Sequence, residues 1–212
     1  MATNPASRTR QPVAKMLRLE EFHGLKQELS EWRVQGLRDT GILGFIRGLR
    51  LSARLIYAIR DHLSSTDYEV DWGHLLTNQG DYCSPECDII IHKRGFVREW
   101  NGNRNPIMNF KFINCEDAVA IISCKSQISS VDKNYCPNMK PYVDTVLLFA
   151  ECCEPRAIKG LKRSAQKAGY KGFWYLYACD HKTMECTIDE NEWMDFLAIL
   201  GKIVGTHSRR KF

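Results

Sequence analysis

A carboxylate opens one strongly apolar run of this chain, and a lysine closes another. Asp88 heads Ile89-Ile90-Ile91, and Lys125 ends Ala118-Val119-Ala120-Ile121-Ile122-Ser123-Cys124. A charge in such company is costly unless it is exposed or functional. Side chains two apart on a strand share a face, so Ser123 and Lys125 project together, and so do Glu86 and Asp88 if their strand begins early. On adjacent strands these four residues would form one small polar cluster. The plainer alternative is an ordinary surface ion pair between two strand ends, worth little. His62, His74 and His92 stand apart from one another and read as structural histidines. No phosphate-binding Walker loop, Gly-rich dinucleotide turn or serine nucleophile elbow is present.

The run Gly80-Asp81-Tyr82-Cys83-Ser84-Pro85-Glu86-Cys87-Asp88-Ile89-Ile90-Ile91 is followed, roughly thirty residues later, by Ala120-Ile121-Ile122-Ser123-Cys124-Lys125-Ser126. Together they resemble the core of the PD-(D/E)XK restriction-endonuclease-like superfamily and, within it, an uncharacterised bacterial nuclease-like domain family, over about residues 41 to 180. That family carries a Gly…Ser-x-Gln-x-Asp-Ile-x-Ile strand and a strand ending in Glu-x-Lys. The resemblance implies one or two divalent ions held by the strand acid, the glutamate of Glu-x-Lys and the carbonyl between glutamate and lysine. The lysine positions or activates the attacking water. Hard Mg²⁺ prefers carboxylate oxygens, lowers the pKa of bound water and offsets charge at phosphorus.

Carried over, Asp88 takes the strand acid, Cys124 the carbonyl position and Lys125 the lysine. Ser123 falls where the glutamate belongs, and a neutral hydroxyl does not replace a carboxylate at a Mg²⁺ site. The family's preceding helix usually adds another acid, yet Gly48-Leu49-Arg50-Leu51-Ser52-Ala53-Arg54 contains none. Glu86 either compensates as a metal ligand beside Asp88 or simply occupies the family's Gln position in the loop entering the strand. The implied catalytic set is thus Asp88, Lys125, Glu86 and Ser123, with Asp88, Glu86 and Cys124 as ligands of a weakened Mg²⁺ site.

The elements that must position these residues follow from hydrophobic periodicity. Residues 1–12 read as a disordered basic arm, and 13–40 as an N-terminal helix and linker. Residues 41–205 read as an α/β domain and 206–212 as a basic tail. Ile42 to Leu63 forms one helical stripe. Strands are expected at 88–92, 118–125, 143–150 and 173–178, with a looser alternation over 68–76. A helix is expected over 155–168, with Pro155 near its start and Gly169 past its end. The final amphipathic helix spans 190–204. The order gives a mixed sheet flanked by helices, with an extra N-terminal helix.

The 212 residues are 44% hydrophobic and 26% charged, which excludes collagenous, disordered and coiled-coil classes. No apolar run reaches the ~20 residues of a membrane-spanning helix, and no secretory signal is evident, so a cytoplasmic protein is expected. Nine cysteines without a CxxC pair argue for reduced thiols rather than a disulfide framework or structural zinc. The net charge of +5 suits a polyanionic partner. Arg156, Lys159, Lys162, Arg163 and Lys167 share a helix face that either contacts phosphates or is simply solvated. Arg94, Arg98, Trp100 and Arg104 mix basic and aromatic character in a loop, which suits a nucleic-acid strand or a plain anchored loop. Two functions follow. One is a nuclease-fold protein acting on DNA, its metal-dependent phosphodiester hydrolysis weakened or lost. The other is an inactive nucleic-acid-binding or assembly subunit, as in a defence system, with the Leu/Phe/Trp stripe of residues 13–37 available to a protein partner.

Overall fold

The β-branched and aromatic runs of the sequence come together in one eight-stranded sheet. The computed structural model describes residues 42–77, 82–95, 97–100, 110–180 and 186–209, so the basic arm and the helix expected over 13–37 lie outside the described residues. The elements run α1 (Ile42–His62), β1 (Tyr68–Leu76), β2 (Cys87–Lys93), β3 (Val97–Trp100), β4 (Phe110–Asn114), β5 (Ala118–Ile128), α2 (Tyr135–Met139), β6 (Val146–Cys153), α3 (Ile158–Lys167), β7 (Phe173–Cys179), β8 (Cys186–Ile188) and α4 (Glu190–Arg209). The strand order is β3-β4-β1-β2-β5-β6-β7-β8. Parallel pairs β5/β6 and β6/β7 adjoin the antiparallel pairs β1/β2 and β2/β5. The sheet is therefore mixed, and helices cover both of its faces.

Each face has its own core. On one, Leu51, Leu55 and Ile59 of α1 and Trp193, Phe196 and Leu200 of α4 pack on Ile89, Ile91, Ile122 and Phe149. On the other, Met139 of α2 and Leu161 and Ala165 of α3 pack on Ile90, Ile121 and Leu148. The middle of β5 and the whole of β6 are buried, as expected for strands sandwiched between helical layers. Asp189 starts α4 by accepting the backbone N–H groups of Asn191 and Glu192 at 3.1 and 3.3 Å, an N-cap that orients the helix across the sheet.

Several boundaries differ from the periodicity. The third expected strand begins at Val146, because Tyr142 and Val143 donate backbone hydrogen bonds to Met139 and close α2 instead. The 155–168 segment opens with a short 3₁₀ turn, Pro155–Ala157, before α3. The final helix continues to Arg209, so the basic residues expected in a tail begin on its last turns. The all-thiol expectation is corrected at one pair. Cys179 and Cys186 form a disulfide because the β7/β8 pairing sets them directly opposite, a register invisible in the spacing alone. Seven other cysteines are free. Gly73 sits at an irregularity in the β1/β2 register with φ +142°, and a Cβ there would lie 2.0 Å from the Lys111 carbonyl oxygen. Only glycine lets β1 approach β4 this closely.

Candidate functional site

The β2/β5 register of Ile89 opposite Ile122 and Ile90 opposite Ile121 carries Asp88 to a place across from Ser123. The Asp88 carboxylate is partly buried and accepts the backbone N–H of Cys124 at 2.7 Å. Burial raises its pKa above the ordinary carboxylate value. The Cys124 N–H and the Lys125 charge work downward, and the Glu86 charge works upward. The tertiary structure thus brings Asp88, Ser123, Cys124 and Lys125 together. Lys125 itself is exposed, its ammonium reaching water while its charge still bears on Asp88.

Glu86 departs from the alternation argument. β2 begins at Cys87, so Glu86 is an exposed residue of the entering loop, not a strand neighbour of Asp88. Its charge reaches both Asp88 and Cys87. Ser123 is 1% exposed, and its hydroxyl oxygen is buried with no hydrogen-bond partner. The Cys124 thiol is sealed on the α1 side, where burial pushes its pKa well up.

These residues do not fit a divalent-ion cage as they stand. Mg²⁺ needs anionic oxygens to offset its desolvation. Here one carboxylate is partly buried with its pKa raised, a second stands on an exposed loop, and the remaining donors are a hydroxyl and a carbonyl. Among the described residues, the His, Cys, Asp and Glu side chains whose ligand atoms converge within 4.8 Å are Glu69, Asp71 and His92, a group apart from Asp88. That acidic cluster is already neutralised. Asp71 binds Arg60 at 2.6 Å, His92 Nε2 at 3.1 Å and Lys111 at 3.2 Å, and Glu69 lies 3.6 Å from Arg94.

Sequence reasoning missed two buried acids. One is Asp71, in the weakly alternating 68–76 run. The other is Glu151 of β6, 3% exposed, which meets Arg50 at 3.2 Å and Arg54 at 3.7 Å. The signal for the second was present, since Arg50 and Arg54 are four apart and share a face of α1. The helix stretch searched for an acid instead supplies the cations, and a strand supplies the acid. Arg156 of the 3₁₀ turn and Lys159, Arg163 and Lys167 of α3 are exposed, whereas Lys162 pairs with Glu192. In the expected basic loop, Arg94 is exposed, the side chains of Arg98 and Trp100 lie outside the described residues, and so does Arg104.

With this geometry in hand, the architecture matches solved structures of NucC. The cAAA-bound form from E. coli MS115-1 aligns with a TM-score of 0.53 at 10% identity, covering 94% of this chain and 92% of that one. The cAAA-bound form from P. aeruginosa ATCC27853 gives a TM-score of 0.50 at 13% identity, covering 89% and 90%. No protein-family model and no curated protein sequence matches the chain. The likeness defines the fold alone: a restriction-endonuclease-like mixed α/β sheet flanked by helices, shared with NucC. Among the described residues, no helix is long and apolar enough to cross a membrane.

Proposed function

We propose that this nuclease-fold protein binds nucleic acid, DNA in the first instance, with metal-dependent phosphodiester hydrolysis weakened or lost. The observation that carries the reading is the buried, unpartnered Ser123 hydroxyl across from Asp88. At that place a metal-dependent member of the resembled family sets its second carboxylate. Without it, Mg²⁺ meets a single strand carboxylate where it needs two, and a neutral hydroxyl leaves most of the ion's charge unmatched. The exposed arginines and lysines of α3 favour phosphate contact, and that helix packs on the same sheet face as Ile90 and Ile121, neighbours of Asp88 and Ser123 in alternation. The cAAA-bound state of the similar NucC structures supports a fold that accommodates nucleotides. An inactive assembly subunit of a defence system is the non-enzymatic form of the same reading.

A Mg²⁺-dependent endonuclease is the second reading, and one observation favours it: Glu86 is close enough for its charge to act on Asp88. Two assays separate the readings. Affinity for duplex DNA across a salt series should fall with a log–log slope of about −0.9 per phosphate contacted. Plasmid and linear DNA incubated with Mg²⁺ should show little or no cleavage. Strong cleavage that vanishes in Asp88→Ala and in Glu86→Gln would replace the first reading with the second. Salt-independent or absent DNA binding would remove both.

A further inference from the structure

The β7–β8 edge of the sheet carries the one joined pair among cysteines that are otherwise free thiols. Cys179 and Cys186 stand directly opposite each other in the antiparallel ladder. Cys179 is buried, whereas Cys186 is half-buried and so the more accessible sulfur.

Little else holds β8. It has three residues, none of them buried, and it pairs with β7 at Tyr177/Ile188, Ala178/Thr187 and Cys179/Cys186. Two long hydrogen bonds supplement the ladder: the Thr187 hydroxyl donates to the Ala178 carbonyl at 3.4 Å, and the Asp189 N–H to the Leu176 carbonyl at 3.5 Å. A short edge ladder of this kind opens locally at low free-energy cost.

The residue after β8 is the N-cap of α4. Asp189 accepts the Tyr175 hydroxyl at 3.3 Å as well as two N–H groups of the first helical turn. In that turn Glu192 pairs with Lys162 of α3, which ties the two helical layers together around the sheet edge. The other carboxylate oxygen of Glu192 is buried with no hydrogen-bond partner, so the closed turn holds this acid at a cost. The disulfide thus lies one short strand away from the contact that neutralises Lys162.

We propose that Cys179–Cys186 is a reversible redox latch that keeps the first turn of α4 closed and, through Glu192, withholds Lys162 from the basic face of α3. The latch stands on the strand pairing alone, and its effect on nucleic-acid affinity rests on the reading that α3 contacts phosphate. Opening needs an external dithiol. Its thiolate attacks Cys186 Sγ, the S–S bond breaks, and Cys179 leaves as a thiolate that takes up a proton. The reductant's second thiol then displaces Cys186 from the mixed disulfide. Two electrons pass to the protein, both cysteines end as thiols, and the reductant ends as its own disulfide.

Hydrogen exchange of the full chain, air-oxidised and then reduced with dithiothreitol, tests the latch. Alkylation in denaturant should count seven thiols before reduction and nine after. Reduction should raise exchange on the order of tenfold over residues 186–195 and leave the centre of β5 unchanged. A Cys179→Ser/Cys186→Ser variant should exchange like the reduced parent with or without dithiothreitol. If that variant fails to fold, the reduced parent supplies the same comparison. Nine thiols before reduction, exchange unchanged by reduction, or a rise spread evenly through the sheet each overturns the latch. The coupling is read separately. Reduction should tighten duplex DNA binding about two- to fivefold and steepen the log–log salt slope by about 0.9, one added phosphate contact. Oxidised Glu192→Gln should bind DNA as the reduced parent does, and Lys162→Gln should show no redox effect. DNA affinity equal in both redox states while exchange responds overturns the Lys162 coupling. Absence of DNA binding in both states overturns the nucleic-acid reading, and the exchange result alone then decides the latch.

Discussion

Two aspartates on adjoining strands, one buried and one partly buried, are treated in opposite ways in this protein. Asp71 on β1 is enclosed by Arg60, His92 and Lys111. Burial by itself would raise its pKa, but the His92 hydrogen bond and the charges of Lys111 and Arg60 outweigh that and hold it below the ordinary value. Asp88 on β2 receives one backbone N–H and the influence of one exposed lysine, and its pKa is raised. A fully compensated carboxylate locks strands and helix together. An under-compensated one beside an unpartnered hydroxyl is the pattern of a site shaped for something other than stability.

The largest expected effect lies on the compensated side. Asp71→Ala removes the carboxylate that Arg60, Lys111 and His92 share and should cost about 3–5 kcal/mol, the usual penalty for breaking a buried ion pair. Asp88→Asn, by contrast, should be neutral or stabilising at pH 7. Urea denaturation of both variants checks this, and equal losses would dissolve the contrast.

Next in size is the backbone that seats Asp71. Gly73→Ala should cost about 1–3 kcal/mol or more, from a left-handed φ and a Cβ driven into the Lys111 carbonyl. A stability within experimental error of the parent's would show that β1 can slide away from β4. Ser123→Glu comes third. Burying a second carboxylate beside Asp88 should cost about 1–3 kcal/mol in metal-free buffer, and millimolar Mg²⁺ should restore part of the melting temperature in this variant but not in the parent. A parent protein stabilised by Mg²⁺ to the same degree would mean that Glu86 already completes the site.

The smallest effect is the pH profile. Asp71, with its pKa lowered from 3.8, contributes stability that is fully present above that value and lost as pH falls through its folded pKa. Asp88, raised from 3.8, contributes in the opposite sense. Its neutral form favours the fold, an effect complete below 3.8 and lost as pH rises through its folded pKa. Asp88→Asn should therefore gain on the parent as pH increases from acid to neutral. A constant difference between the two across that range would contradict the assigned direction.

Much of the site was legible because strands announce themselves locally. Ile89-Ile90-Ile91 and Ala118 to Ile122 are apolar enough to require burial, and period-two alternation fixes which neighbours of Asp88 and Ser123 share a face. That Ser123 stands where a metal-dependent relative would carry a carboxylate is what the resemblance to the Glu-x-Lys strand implies. Glu86 was not decided, because alternation holds only inside a strand and β2 starts one residue too late. The partnership of Asp71 with Arg60, His92 and Lys111 joins positions up to forty residues apart. No local pattern could predict it, since charge pairing across a sheet depends on strand order.

The amino-acid sequence by itself determined the layered α/β class and the strands that carry Asp88 and Lys125. Burial patterns and residue identities are properties of the chain read in order. Tertiary structure alone decided which acids are neutralised, that Arg50 and Arg54 face Glu151, and that Cys179 meets Cys186. Those outcomes depend on register and crossover geometry, where a shift of one residue would turn every side chain of a strand to the other face.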